Sequence, residues 1–217
     1  MIEQLIEAMQ QQRNPDKAIA MSAYMRNQFP FLGIPTPARR FLLSDYKKVA
    51  LSQTQLLLLA QQLWQLPERE YAYVAIDLLS MHIKRLDAEA IPTLLALVRE
   101  GAWWDTVDNM ASVINRIIRA NPTLQVTMDS ALLHENLWTR RIAMIHQLGW
   151  RDKTDKTRLF AYAEQLAPEK DFFIRKAIGW ALRDYARWQP ALVIDFVHAN
   201  QPILSPLTVR EALKRLR

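Results

Sequence analysis

The chain has no cysteine among its 217 residues, which excludes disulfides, thiolate metal sites and cysteine nucleophiles. Glycine is scarce, with four residues, and β-branched residues are few beside Leu, Ala, Gln and Arg. That composition favours an all-α protein. No apolar run approaches the roughly 18 residues of a membrane span. The opening segment Met1-Ile2-Glu3-Gln4-Leu5-Ile6-Glu7 is acidic and amphipathic, unlike a secretory signal, so a cytoplasmic protein is expected. His82, His134, His146 and His198 show no pairing at i, i+4 and no metal-ligand spacing. Neither a metal nor another cofactor is expected, and the chain is expected to act as a monomer.

Half of the residues are hydrophobic and 23% are charged, enough for one sizeable core or an extended array of helices. The net charge of +6 is unevenly spread. Residues 1–108 carry 11 Lys/Arg against 12 Asp/Glu, whereas residues 109–217 carry 17 against 10. A basic half on an otherwise neutral chain is the electrostatic footprint of a nucleic-acid binder.

Helical periodicity, broken at Pro, Asn and Gly, predicts helices near 2–12, 16–28, 37–50, 53–65, 68–84, 88–100, 103–120, 123–134, 137–150, 155–167, 170–187, 190–199 and 206–216. Ser52 and Asp87 stand ahead of two of them, and Pro67, Pro122 and Pro190 mark other starts. The helices near 68, 103, 137 and 170 begin at intervals of roughly 33 to 36 residues, each followed by a second helix. Helix pairs at that period predict an α-solenoid of HEAT-like repeats. No linker divides the sequence, so a single domain over 1–217 is expected. Phe29 to Pro37 reads as an extended, proline-set corner between helices.

Two aromatic segments carry the functional signal. Trp103-Trp104-Asp105-Thr106-Val107-Asp108 is answered downstream by Phe172-Phe173-Ile174-Arg175-Lys176-Ala177-Ile178-Gly179-Trp180. Trp104 and Asp108 are four apart and share a helix face. Trp180 shares a face with Lys176, Arg183 and Arg187 by the same spacing. The core face of 103–120 reads Val107, Met110, Ala111, Ile114, Ile117 and Ile118. That of 170–187 reads Ile174, Ala177, Ile178, Ala181, Leu182 and Tyr185. The positions left over are Trp104, Asp108, Ser112, Asn115 and Arg119, then Arg140, Arg141 and Met144, then Lys176, Trp180, Arg183 and Arg187. In stacked pairs they converge on one concave basic surface, with a carboxylate among arginines and indoles. Such a surface suits a cationic or oxocarbenium-like species on a polyanion.

At these residues the chain resembles the AlkD-type DNA alkylation repair family, the HEAT-like-repeat alkylpurine DNA glycosylases. The matching segments are Ala23-Tyr24-Met25-Arg26-Asn27 with Phe31-Leu32-Gly33-Ile34, Trp103 to Asp108, Trp138-Thr139-Arg140-Arg141, and Phe172 to Trp180, so the similarity spans nearly the whole length. The resemblance implies excision of cationic N3- and N7-alkylated purines from duplex DNA. It also implies a catalytic constellation at Asp108, Trp104, Trp180 and Arg141, with Tyr24 near the DNA and no pocket for an extruded base. Arg140, Lys176, Arg183 and Arg187 complete the expected DNA-binding set, and whether Arg140 or Arg141 clamps a phosphate stays open.

Those residue types fit that chemistry. An alkylpurine already positively charged departs neutral, so no general acid is required. A carboxylate then serves by stabilising the oxocarbenium-like sugar and orienting water, while indole faces attract the cationic nucleotide. Bidentate guanidinium binding suits a phosphate. Asp105 reads as a helix-start residue, Tyr71 and Tyr73 as packing, and Lys153, Lys156 and Lys170 as solvated surface rather than Schiff-base lysines. The alternatives are a non-catalytic HEAT-like binder of damaged or branched DNA, which does not need Asp108, and a protein-interaction solenoid, which favours an apolar or acidic concave face.

Overall fold

The computed structural model describes residues 2–214 and 216. Among them are thirteen α-helices, joined by turns and short 3-10 segments, with no β-strand. No described helix is long and apolar enough to cross a membrane. The chain divides into two compact units, residues 1–97 and 98–217.

The first unit carries α1 (Ile2–Gln11), α2 (Pro15–Tyr24), α3 (Thr36–Leu42), α4 (Gln53–Trp64), α5 (Arg69–Met81) and most of α6 (Ala90–Arg99). Asn14 caps α2 by accepting from the Lys17 N–H, with Pro15 at the first helical position. Ser52 and Gln55 form a reciprocal capping box on α4. Two predicted helices of this unit end four or more residues early. Residues 16–28 stop at Tyr24, where Arg26 and Asn27 take left-handed backbone conformations. Residues 37–50 stop at Leu42 and continue as a 3-10 turn over Asp45–Lys48, whose Tyr46 carbonyl lies 3.0 Å from His82 Nε2.

The proline-set corner is structural, as expected, and a buried carboxylate holds it. Glu70 is wholly inaccessible and accepts from the backbone N–H groups of Leu32, Gly33 and Ile34 at 2.9, 2.8 and 3.0 Å. Extended backbone has no helical partners for these donors, and buried donors left unpaired cost about 1–3 kcal/mol each. Gly33 is obligatory there: its φ is +87°, and an added Cβ would lie 2.0 Å from the Asn14 carbonyl oxygen. Tyr71 and Tyr73 are packing residues, the first 1% exposed and bonded to Gln10, the second against Phe31.

The second unit carries α7 (Trp104–Ala120), α8 (Val126–Leu132), α9 (Leu137–Ile145), α10 (Lys156–Leu166), α11 (Phe172–Ala186), α12 (Pro190–Ala199) and α13 (Pro206–Ala212). Helices α7, α9, α11 and α13 pack side by side in one row, and α8, α10 and α12 cover it. This is the stack of helical pairs that the sequence period predicts. The predicted core faces of α7 and α11 are all buried. Asn136, Asp171 and Ser205 each cap the next helix of the row with a side-chain oxygen. The row is closely packed at Gly179, where an added Cβ would sit 2.5 Å from the Glu211 Cβ on α13.

Helix 137–150 is predicted longer than it is. It ends at Ile145 and passes into turns, after which left-handed Gly149 (φ +77°) and Arg151 (φ +64°) lead the chain into a 3-10 segment. Asn115 pins that turn, donating to the Leu148 carbonyl and accepting from Trp150 Nε1. Asn115 therefore belongs to the repeat interface rather than to an open face, and Met144 is likewise buried.

Candidate active site

The row α7–α9–α11 brings three sequence-predicted residues into one constellation. Asp108, one turn into α7, faces Arg141 of α9. Arg141 donates Nε to Oδ1 and Nη2 to Oδ2, both at 2.8 Å. Its remaining Nη1 donates to the Phe173 carbonyl at the start of α11. The guanidinium lies 5.4 Å from the Trp180 ring centroid and 6.0 Å from that of Phe173. Trp104 is half-buried on α7, one turn before Asp108.

Burial decides what each group can do. The Arg141 side chain is 3% exposed and that of Asp108 18%. All three nitrogens of the Arg141 fork donate within the protein. From the sequence that fork is one of two candidates for a phosphate clamp; in the structure it grips Asp108. A carboxylate offers about four lone-pair directions, and Arg141 occupies two. Asp108 thus keeps acceptor capacity toward solvent while its orientation is fixed.

Behind the pair stands an aromatic wall that the sequence shows only as separate residues. Trp103 and Trp138 lie 5.9 Å apart between centroids, and Phe173 lies 5.3 Å and 4.8 Å from them. Each sits at or near the start of α7, α9 or α11. The cluster therefore aligns the starts of the three helices that carry Asp108, Arg141 and Trp180.

The other predicted cations are tied to carboxylates. Arg140 donates Nε and Nη2 to Glu169 at 2.6 and 2.9 Å, and Nη1 to the carbonyls of His134 and Glu135. That fork too is spent, on joining the turn before α9 to the turn before α11. Lys176 and Arg183 share Glu211 at 3.2 and 2.6 Å. Burial raises the Glu211 pKa, but the hydrogen bonds from Lys176 and Arg183 outweigh it and hold the carboxyl below its usual range. Arg187 is half-exposed, with Asp184 4.0 Å away. Tyr24 is 72% exposed in the first unit, where it lines an apolar hollow of about 250 Å3 with Met21, Met25, Phe31 and Tyr73. Asp105 is buried in the first turn of α7.

Nothing in the local sequence pattern marks Glu169 and Glu211. The repeat period holds the missing signal. Asp108 and Arg141 are 33 residues apart, and Lys176 and Glu211 are 35 apart, each close to one repeat. Equivalent positions of successive repeats face each other across the row. Among the described residues, no group of three or more His, Asp or Glu is arranged to hold a metal ion.

A model of the DNA alkylation repair enzyme family matches residues 5–216. A solved structure of a predicted DNA alkylation repair enzyme from Enterococcus faecalis is 36% identical and superposes with a TM-score of 0.89, over 94% of this chain and 96% of that one. Two more distant structures, both from Streptococcus mutans, share the fold. AlkD2 is 21% identical with a TM-score of 0.63 over 80% of this chain and 86% of its own. The protein smu.31 is 17% identical with a TM-score of 0.67 over 99% of each. No curated protein sequence matches this one. The resemblance read from the aromatic and basic motifs thus holds at the level of the family, and the chain belongs to the DNA alkylation repair enzymes.

Proposed function

We propose that this protein is a monofunctional DNA glycosylase that hydrolyses the N-glycosidic bond of N3- and N7-alkylated purines in duplex DNA. What carries the reading is the Asp108 carboxylate, oriented by Arg141, with Trp180 against that arginine and Trp104 one turn away.

The substrate base bears a positive charge, so the C1′–N bond breaks with its electron pair passing to the base, which leaves neutral. Positive charge then develops on the deoxyribose. Asp108 stabilises it through space and accepts a hydrogen bond from the water that attacks C1′. The water's proton passes to the carboxylate and on to solvent. Trp104 and Trp180 offer electron-rich faces to the cationic nucleotide. Arg141 acts here through Asp108, as a positioning residue. Lys176, Arg183, Arg187 and Tyr24 are the proposed DNA contacts, and the basic balance of residues 109–217 favours a polyanion there.

A duplex carrying a single N7-methylguanine tests the reading directly, with released free base as the measured product. Release of the methylated base without strand cleavage is expected. Uracil and 1,N6-ethenoadenine should stay in place, because a neutral base leaves as an anion unless an acid protonates it. An arginine guanidinium is not deprotonated in proteins, so Arg141 cannot supply that proton. No release of N7-methylguanine, or equal release of uracil, overturns the proposal.

A further inference from the structure

The turn after α9 holds an arginine in an arrangement that the proposed site leaves unexplained. Arg151 adopts φ +64°, a left-handed conformation that costs a non-glycine L-residue roughly 1–2 kcal/mol. The turn around it is firmly built. Gly149 N–H donates to Asp184 of α11 at 2.6 Å, Trp150 bonds to Asn115 of α7, and Gln147 and Asp155 exchange two hydrogen bonds across it. Strain held by an over-determined surround is a pointer to function.

The strained residue presents its guanidinium 5.7 Å from the ring centroid of Trp188, just past α11. Trp188 is 46% exposed, unusual for so large an apolar side chain. Among the described residues, no carboxylate lies within ion-pair distance of Arg151. Arg140, Arg141, Lys176 and Arg183 are each bound to one. Arg187, next to Trp188, is half-exposed with only a 4.0 Å approach to Asp184. Stacking on the indole holds the Arg151 cation in place without neutralising it.

We infer that Arg151 and Trp188 join Arg187, already proposed as a DNA contact, in a grip on the sugar–phosphate backbone of duplex DNA beside the lesion, apart from the excision site. The two guanidinium groups take phosphate oxygens, and the indole edge packs on deoxyribose between them. The inference rests on the proposed function insofar as α11 faces the DNA. Trp180 and Arg187 share a face of α11 and are separated by about 10 Å of helix rise. A contact there falls within about three base steps of the nucleotide at Trp180, at ~3.4 Å per step. Such a grip carries no base information. It adds affinity for damaged and undamaged duplex alike.

The left-handed φ supplies a variant that spares the fold. Arg151→Gly removes the cation at a position where glycine is the unstrained residue, so its Tm should equal or exceed that of the parent. Affinity for duplex DNA, with or without N7-methylguanine, should fall roughly tenfold, the worth of a charge-assisted hydrogen bond. The slope of log affinity against log salt should flatten by about 1. Trp188→Ala should weaken both duplexes comparably, with Trp188→Phe largely restoring binding. Single-turnover release of N7-methylguanine at saturating protein should stay at the parent rate, because neither residue touches the reacting sugar. Unchanged affinity and slope in Arg151→Gly overturn the inference, as does an Arg151→Gly or Trp188→Ala loss confined to methylated duplex. Failure of the parent protein to release base sinks the proposed function but leaves these binding measurements as the separate test of this contact.

Discussion

Neutralising Asp108 is more damaging than deleting the whole Asp108–Arg141 pair, and the geometry sets the size of the difference. A carboxylate about 4 Å from the developing cation contributes about 4 kcal/mol at an effective dielectric of 20. The guanidinium, on the far side of that carboxylate, lies roughly twice as far from the sugar and opposes with about 2 kcal/mol. In Asp108→Asn the favourable part disappears and the unfavourable part stays. Excision should slow about 10³-fold, at 1.36 kcal/mol per decade. In the double variant Asp108→Asn, Arg141→Gln both go, and the net loss of about 2 kcal/mol corresponds to roughly 30-fold. Stability should follow the same order. Arg141 is nearly wholly buried, and stranding its charge costs about 3 kcal/mol. For a chain of this length that lowers Tm by roughly 10 °C, most of it recovered in the double variant. The assay is single-turnover release of N7-methylguanine at saturating protein, with duplex affinity measured alongside. A double variant as slow as the single one, or a single variant near the parent rate, refutes the reasoning.

Lys176→Ala and Arg183→Ala should each flatten the log–log salt dependence of duplex binding by about 1, whereas Glu211→Gln, which frees both cations, should steepen it; slopes unchanged in all three place the DNA elsewhere. His146 is buried neutral, its pKa pushed down by burial to about 4, against 6.5 when exposed. Between those values the unfolded chain binds the extra proton, so stability is full above pH 6.5 and falls by about 3 kcal/mol as pH drops to 4; a Tm profile equally steep in His146→Gln removes this histidine as the cause. Gly179→Ala drives a Cβ into the Glu211 Cβ and should cost about 1–3 kcal/mol, read as a lower denaturation midpoint.

What the sequence reveals and conceals follows from a single property of repeat folds. Patterns within one helix are legible because helical spacing is fixed: the core faces of α7 and α11 emerge with every residue correctly buried. The pairing of Trp104 with Asp108 on one face needs nothing beyond the four-residue rule. Helix ends are less legible. The early stop at Tyr24 is followed by Arg26 and Asn27 in left-handed conformations, as the turns after Ile145 are by Arg151, and neither arginine announces that in its residue type. Least legible is which charges cancel. Arg140, Arg141, Lys176 and Arg183 look alike as free phosphate ligands until neighbouring repeats supply Glu169, Asp108 and Glu211. Yet partners across the row recur at offsets of 28 to 35 residues, on the scale of one repeat. Asp108 meets Arg141 at 33 residues, Trp150 meets Asn115 at 35, and Thr208 meets the Arg175 carbonyl at 33. In a stack where each helix pair contacts the next, a residue's opposite number lies about one period away. The period that announces the fold can therefore be applied again, to its charges. It pairs Asp108 with Arg141, and so separates a guanidinium that orients a carboxylate from one that is free to meet DNA.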